Sequence, residues 1–296
     1  MTTGSTTTGA LAESLDDIRS AARIVRDHVG QMESTADMQT LGEGIGASWQ
    51  EISYDQLTAQ DVTESTELDN PQQLADNLLT VTPSMIQIET FLTDNLVAKM
   101  NRKGLAETGG LAMSAIRRRK NADGLALFAS AGTTLAGAGT TLTSGHITAG
   151  VSRIMSDANE PPPDGTTMYF VAHGYQVKDI EDELNTGTGT YPVPTGLSED
   201  VFRNGLRGQV GGALIKVDGN IQVITGDDVR GGVFAGGKGG AVVRVQGMAL
   251  KVETYRRPMR GGGGDSVFIR DDYAWGERSA GNWLYGVLSD GTAPTS

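Results

Sequence analysis

LTVTPSMIQIETFLTD, residues 79–94, alternates apolar and polar side chains and carries a proline inside the run. Alternation of this kind marks a strand with one covered face, because successive strand side chains point to opposite sides. Val81, Met85, Ile88 and Phe91 do not share one parity, however. Either both faces are partly covered, or a bulge resets the register near Pro83. Proline is tolerated in strands at edges, starts and bulges. The stretch is therefore expected to form one long strand at a sheet margin, with one side open to a neighbour.

Just upstream, WQEISYDQLTAQDVTESTELDN (residues 49–70) places Trp49, Ile52, Tyr54, Leu57 and Val62 too sparsely to cover a buried sheet. It predicts a long two-stranded hairpin standing away from the body, with its turn near Leu57 to Asp61. An isolated ribbon is marginal in water, so this one must lie on another surface. Further upstream, Leu11, Leu15, Ile18, Ala22, Val25 and Val29 recur at steps of three or four, an amphipathic helix with early acids and later arginines. Residues 1–9, rich in Thr, Gly and Ser, are expected to be disordered unless a partner holds them.

Downstream, a long helix is predicted from about Ala106 to Ala129, its stripe running through Leu111, Ala115, Arg118, Ala122, Leu125 and Phe128 or Ala129. GTTLAGAGTTLTSG (132–145) reads as a loop. HITAGVSRIMSDA (146–158) reads as a helix, TMYFVAHG (167–174) as a buried strand and YQVKDIEDEL (175–184) as a helix, an alternation that suggests a compact mixed domain. ALIKVDGNIQVITG (213–226) carries an Asp-Gly hairpin signal, while AVVRVQGMALKVETYRR (241–257) and SVFIRDDYAWGE (266–277) alternate as strands.

Composition excludes several classes of function. Hydrophobic residues are 38% and aromatics 5% of the chain, against 41 glycines, which suits an extended or oligomeric protein. No window approaches the roughly 20 apolar residues of a membrane span, and the N-terminus lacks the basic start and apolar run of a signal peptide. With no cysteine there are no disulfides, thiolate zinc sites or cysteine nucleophiles. The net charge of −12 is concentrated: residues 1–98 hold sixteen acids and three arginines. Such a block is a solvated face or an arm that docks on basic surfaces, and it argues against a protein built to grip DNA. Arg117–Lys120 is the one dense basic cluster; mid-helix, its four side chains fan round the axis, which favours ion pairs with acids on neighbouring chains over nucleic-acid reading.

The candidate chemistry dissolves on inspection. His28, His146 and His173 lie in separate segments without metal-ligand spacing, and His173 reads as a turn histidine capping a helix start. GVFAGGKG (232–239) approaches a phosphate loop but puts Gly239 where a hydroxyl is required and is followed by a strand. The pairs Asp16/Asp17, Asp227/Asp228 and Asp271/Asp272 read as solvated or ion-paired carboxylates.

The order of these elements resembles the major capsid protein fold of tailed phages, named after phage HK97. Residues 49–97 resemble its extended loop followed by a P-domain strand with TPS and LTD landmarks. Residues 167–184 resemble its A-domain strand and helix, although Gly174 follows His173 where proline is common, and LRGQVGGALIKVDGNI (206–221) resembles the entry to the next A-domain strands. The likeness covers about residues 45–290. It implies an α+β fold: an N-terminal arm (1–44), an extended hairpin loop (45–76), a P-domain opening with a long spine helix (77–135), an A-domain (136–242), P-domain return strands (243–275) and a C-terminal segment back in the A-domain (276–296).

The resemblance further implies a structural protein, not an enzyme, with no catalytic, cofactor or metal residues. It would self-assemble into pentamers and hexamers of an icosahedral head enclosing double-stranded DNA, made in the host cytoplasm and located in the virion. Trp49, Tyr54, Leu57, Arg117, Arg118, Arg119 and Lys120 are the candidate contacts between copies. Besides those copies, the expected partners are a portal, a decoration or cement protein and non-specifically touched DNA, with no membrane. About 40 residues precede the hairpin, too few for a built-in scaffolding segment, so a separate scaffolding protein is expected. Some family members cross-link through a lysine on the extended loop; here the first lysine is Lys99, beyond it. The alternatives are an encapsulin-like compartment shell and a non-shell virion structural protein.

Overall fold

The computed structural model describes residues 5–6, 28–42, 44, 46–64, 72–99, 102–157, 160–186, 208–279 and 281–295. Most of the expected arm helix, residues 11–27, lies outside them; residues 28–31 are non-helical, and Met32–Thr35 form a single helical turn.

The stretch at residues 79–94 belongs to two strands, not one. β4 (Asp76–Val81) pairs antiparallel with β3 (Trp49–Tyr54), placing Trp49 opposite Val81 and Tyr54 opposite Asp76. After Thr82 and Pro83 the chain resumes as β5 (Ser84–Thr93), which runs antiparallel to β13 (Gly264–Glu277) from Ser84 opposite Tyr273 to Thr93 opposite Gly264. In β4 the odd residues Leu79 and Val81 turn inward; in β5 the even residues Ile86, Ile88 and Thr90 do. The parity conflict is thus a change of partner at Pro83, whose missing N–H cannot join a ladder, and not a bulge within one strand. Among the described residues, positions 84–90 pair with β13 alone.

Two six-stranded sheets organise the chain. The first has the order β1 (Ser5–Thr6), β5, β13, β11 (Val242–Gln246), β2 (Asp37–Thr40), with β12 (Lys251–Arg256) also on β13. The second has the order β6 (Thr134–Ala136), β14 (Leu284–Asp290), β10 (Asp228–Gly236), β7 (Thr167–Ala172), β9 (Ala213–Val217), β8 (Gln209–Val210). β3 and β4 form a separate two-stranded ribbon. Glycines 261–263, all with positive φ, turn the chain from β12 into β13, a conformation glycine adopts at little cost.

Two sequence expectations need correcting here. The supposed loop at 132–145 contains β6, which adds a parallel edge to β14. The Asp-Gly signal makes no hairpin: β9 pairs with β7 and β8, and Ile221–Ile224 does not return along it. Asp218 is instead a buried acceptor for the Gln31 N–H (3.0 Å), Asn121 Nδ2 (2.7 Å) and the Asn220 N–H (2.9 Å). Those bonds outweigh hairpin geometry, because a buried carboxylate needs donors.

The long helix spans Arg102–Ser130. Its buried face is Ile116, Lys120, Asn121, Gly124 and Phe128, whereas Leu111, Arg118 and Ala122 of the expected stripe are exposed. Periodicity missed this face because two of its members are polar and one is glycine. Lys120 and Asn121 find buried partners, and Gly124 admits Trp275.

The helix ends over the second sheet, where the main core gathers Phe128, Phe170, Phe234 and Leu284 with Ile147 and Ile154 of the Ser144–Met155 helix and Ile180 of the Gly174–Thr186 helix. The Phe128 ring lies 5.7 Å from that of Phe234 and covers Gly232 of β10, where an added Cβ would sit 2.3 Å from Phe128 Cδ1. Gly232→Ala is therefore expected to cost about 1–3 kcal/mol through overpacking. Phe128→Leu should recover part of that loss, as a double-mutant cycle in urea would record. Additive effects of the two changes would contradict the contact.

Candidate assembly surface

The β3–β4 ribbon is longer than its strands. Beyond Tyr54 and Asp76 the Asp55 N–H donates to the Ala75 carbonyl (3.0 Å). Thr58 and Gln72 bond reciprocally, backbone to side-chain amide, at 2.8 Å each. The expected turn at Leu57–Asp61 is thus too early, and the limbs run past Thr58 toward residues outside the described set. The placement failed because acidic and threonine-rich residues 61–70 look like turn chemistry whether they turn or extend. Tyr54 and Leu57 are 65% and 63% exposed, and Ile52, Val62, Leu74 and Leu78 are exposed with them. A ribbon bearing this much uncovered apolar surface is incomplete by itself.

The ribbon's root is fixed firmly. Arg278, just after β13, reaches Glu51 of β3 through Nε (2.6 Å), Asp37 of β2 through Nη2 (2.7 Å) and the Gly240 carbonyl through Nη1 (2.9 Å). Its guanidinium also lies 5.6 Å from the ring centre of half-buried Trp49. Burial pushes the Asp37 carboxyl up, but hydrogen bonds from Arg278, the Gly239 N–H and Gln39 outweigh it and hold the pKa below the ordinary value. A depressed carboxylate stabilises the fold above its unfolded pKa of about 4, and the benefit fades as pH falls through the lower folded value. Arg278→Met is expected to cost roughly 3 kcal/mol at pH 7, where it strands a buried charge. Urea titrations should show that gap narrowing once the pH drops below about 4; a gap independent of pH would reject this account of Asp37.

The basic cluster divides. Arg117 and Arg118 are exposed, Arg119 Nε pairs with Asp123 of its own helix (3.0 Å), and Lys120 is buried against Asp271 (2.5 Å). Lys120 and Arg119 therefore meet acids of their own chain, where pairing with neighbours was expected. The Lys120 partner lies far away in sequence, so no local pattern announces it. Trp49 likewise serves the ribbon's root, which leaves Tyr54, Leu57, Arg117, Arg118 and Arg119 as the exposed members of the candidate set, Arg119 already paired with Asp123. Sequence reading passed over Met259, 98% exposed on the β12–β13 turn. Arg257 beside it pairs with Glu89 (3.1 Å), and Arg260 stacks 4.9 Å from the Phe91 ring centre. An exposed methionine on a pinned turn has no signature in a single sequence.

Several of the residues weighed for catalysis have structural partners; Asp16 and Asp17 lie outside the described residues. His146 Nδ1 lies 2.9 Å from Thr143 Oγ1 in the cap of the Ser144–Met155 helix. His173 Nδ1 accepts from the Tyr175 N–H (3.3 Å) at the start of the next helix, and burial lowers its pKa. Residues 232–239 leave β10 and turn into β11, so no helix start faces them. Asp271 is paired and Asp228 accepts from the Gly139 N–H (2.7 Å). Among the described residues no three His, Asp or Glu converge to hold a metal ion, and no helix is long and apolar enough to cross a membrane.

No family model matches the sequence, and no curated protein does either. Solved structures match along nearly its whole length. The capsid of cyanophage P-SCSP1u aligns with a TM-score of 0.68 at 13% identity, over 97% of this chain and 96% of that one. A Mycobacterium phage Che8 structure aligns with a TM-score of 0.68 at 14% identity, over 94% and 99%. The chain has the HK97-like capsid fold. The SrpI encapsulin of Synechococcus elongatus PCC 7942 aligns as well, with a TM-score of 0.62 at 11% identity over 96% of each chain. At such identities the overall fold is shared and few residues are.

Proposed function

We propose that this chain is the major capsid protein of a tailed phage, assembling into pentamers and hexamers of an icosahedral shell around double-stranded DNA. The observation that carries the reading is the ribbon: a chain with a whole-length capsid fold exposes sparse apolar side chains on an extension, and a neighbouring copy would bury them. In this reading β3 and β4 are the extended loop. The first sheet and the long helix form the P-domain that builds the wall, and the second sheet with its two helices forms the A-domain. Copies of the chain are the principal partners, with a scaffolding protein, a portal and a decoration protein acting during assembly. The role is structural, and the location is the virion.

The similarity to an encapsulin supports a second reading, a protein compartment loaded with enzymes. Particle contents separate the two. Nuclease-protected double-stranded DNA inside particles supports the phage shell, whereas protein cargo without protected DNA supports the compartment. Residues 49–81 contain no lysine, so denaturing electrophoresis of mature wild-type particles is expected to give the monomer band. A covalent ladder would contradict a shell held by noncovalent contacts.

A further inference from the structure

Residues 28–31 lead into the helical turn at Met32 and are held to the body along one polar seam. Asp218, the residue after β9, accepts the Gln31 N–H (3.0 Å) through the same Oδ2 that takes Asn121 Nδ2 (2.7 Å). Asn121 Oδ1 accepts the Met32 N–H (3.2 Å), and Asn220 Nδ2 donates to the His28 carbonyl (3.2 Å). The His28 ring lies against Gly219, where an added Cβ would come within 2.7 Å of it. Val29 is 80% exposed, so hydrogen bonds hold this segment and apolar burial contributes little.

His173 stands at the edge of the seam. It follows β7, whose last residue, Ala172, accepts the Asp218 N–H (2.9 Å), and its ring meets that of Tyr175 edge-on at 4.3 Å. Its Nδ1 accepts the Tyr175 N–H (3.3 Å), which requires that nitrogen to be unprotonated. Burial disfavours the imidazolium, a positive His28 disfavours it further, and Asp218 favours it; the pKa settles below the ordinary 6.5. Lys216 of β9 and Arg230 of β10, on the strands flanking β7, add nothing to that balance.

We propose that this cluster is an acid-released clasp: a proton on His173 breaks its bond from the Tyr175 N–H, sets the ring against His28 and draws Asp218 away from the Gln31 N–H, so that residues 28–31 leave the body. Once they leave, His28 goes with them and the His173 ring gains solvent, so the open form binds the proton more readily than the closed one. The closed form is therefore at full strength above about pH 6.5 and loses ground as the pH falls through the lower closed-state value. With one proton involved, the opening equilibrium changes by at most about tenfold per pH unit. The clasp belongs to the single chain and does not rest on the shell reading.

The chain has no native cysteine, so Val29→Cys carries a single spin label at an exposed position. Electron paramagnetic resonance then follows the unassembled full-length chain from about pH 7.5 to about pH 5. The mobile fraction of the label is expected to rise several-fold on acidification. His173→Asn keeps an oxygen to accept the Tyr175 N–H but takes up no proton in this range, and in that background the rise is expected to vanish. Mobility that stays constant in the His173 chain, or a rise that survives in His173→Asn, overturns the proposal. Should the label or the variant disturb the fold, hydrogen exchange of the unmodified chain reads the same event. Protection of the Gln31 and Met32 amides, corrected for the intrinsic pH dependence of exchange, is expected to fall several-fold below about pH 6.5 while the β7 amides keep theirs. Protection that stays level, or that falls together throughout the chain, overturns it.

Discussion

Replacing Tyr54, Leu57 and Leu78 together by serine is expected to abolish shell formation while leaving the isolated chain as stable as before. The three side chains are 65%, 63% and 56% exposed, so the folded monomer loses little packing with them. Surface changes of this kind usually stay within about 0.5 kcal/mol each. The assembled state differs. Full burial of one such side chain contributes about 1.5–3 kcal/mol, so even partial coverage of all three by a neighbour removes several kcal/mol per contact. Each 1.4 kcal/mol is about a tenfold change in association, and a closed shell repeats the contact at every subunit. Thermal unfolding of the monomer and sedimentation of the assembly mixture check the two halves separately. A triple variant that unfolds easily would place these side chains in the monomer's own core, and one that assembles normally would leave the ribbon without a binding role.

The second large effect belongs to Lys120. Its ammonium lies 2.5 Å from Asp271, with side-chain exposures of 10% and 0%, and 5.3 Å from the Tyr273 ring centre. Gln246 donates to the other carboxylate oxygen. Lys120→Met keeps most of the stem but strands the Asp271 carboxylate in the interior, a loss of about 3–5 kcal/mol. Lys120→Met combined with Asp271→Leu removes both charges and is expected to recover most of the stability. A double variant as weak as the single one would mean that the pair does more than neutralise itself. The same experiment checks the helix face, since a Lys120 pointing outward would be replaced at almost no cost.

Much of this architecture was readable in the residues, and the failures share a cause. The β5 and β13 alternations, the Ser144–Met155 and Gly174–Thr186 helices and the ribbon's existence all follow from local periodicity and composition. The ribbon's exposed apolar residues were legible too, because five apolar side chains spread over fourteen positions cannot close a core. What stayed hidden depends on partners distant in sequence. The buried helix face runs through Lys120 and Asn121, whose partners Asp271 and Asp218 lie at least 97 residues away. Arg278 fastens the ribbon's root to β2 across 241 residues. The strand break at Pro83 was visible as a parity conflict, but only the pairing of β3 with β4 shows that the conflict is an exchange of partners.

The central claim is that this chain covers its apolar extension with other copies of itself. Electron microscopy of the purified protein, concentrated under assembly conditions, tests it most directly. Closed shells of uniform size built from pentamers and hexamers are the expected result. Compact monomers that persist at high concentration, with or without a scaffolding partner, would contradict it.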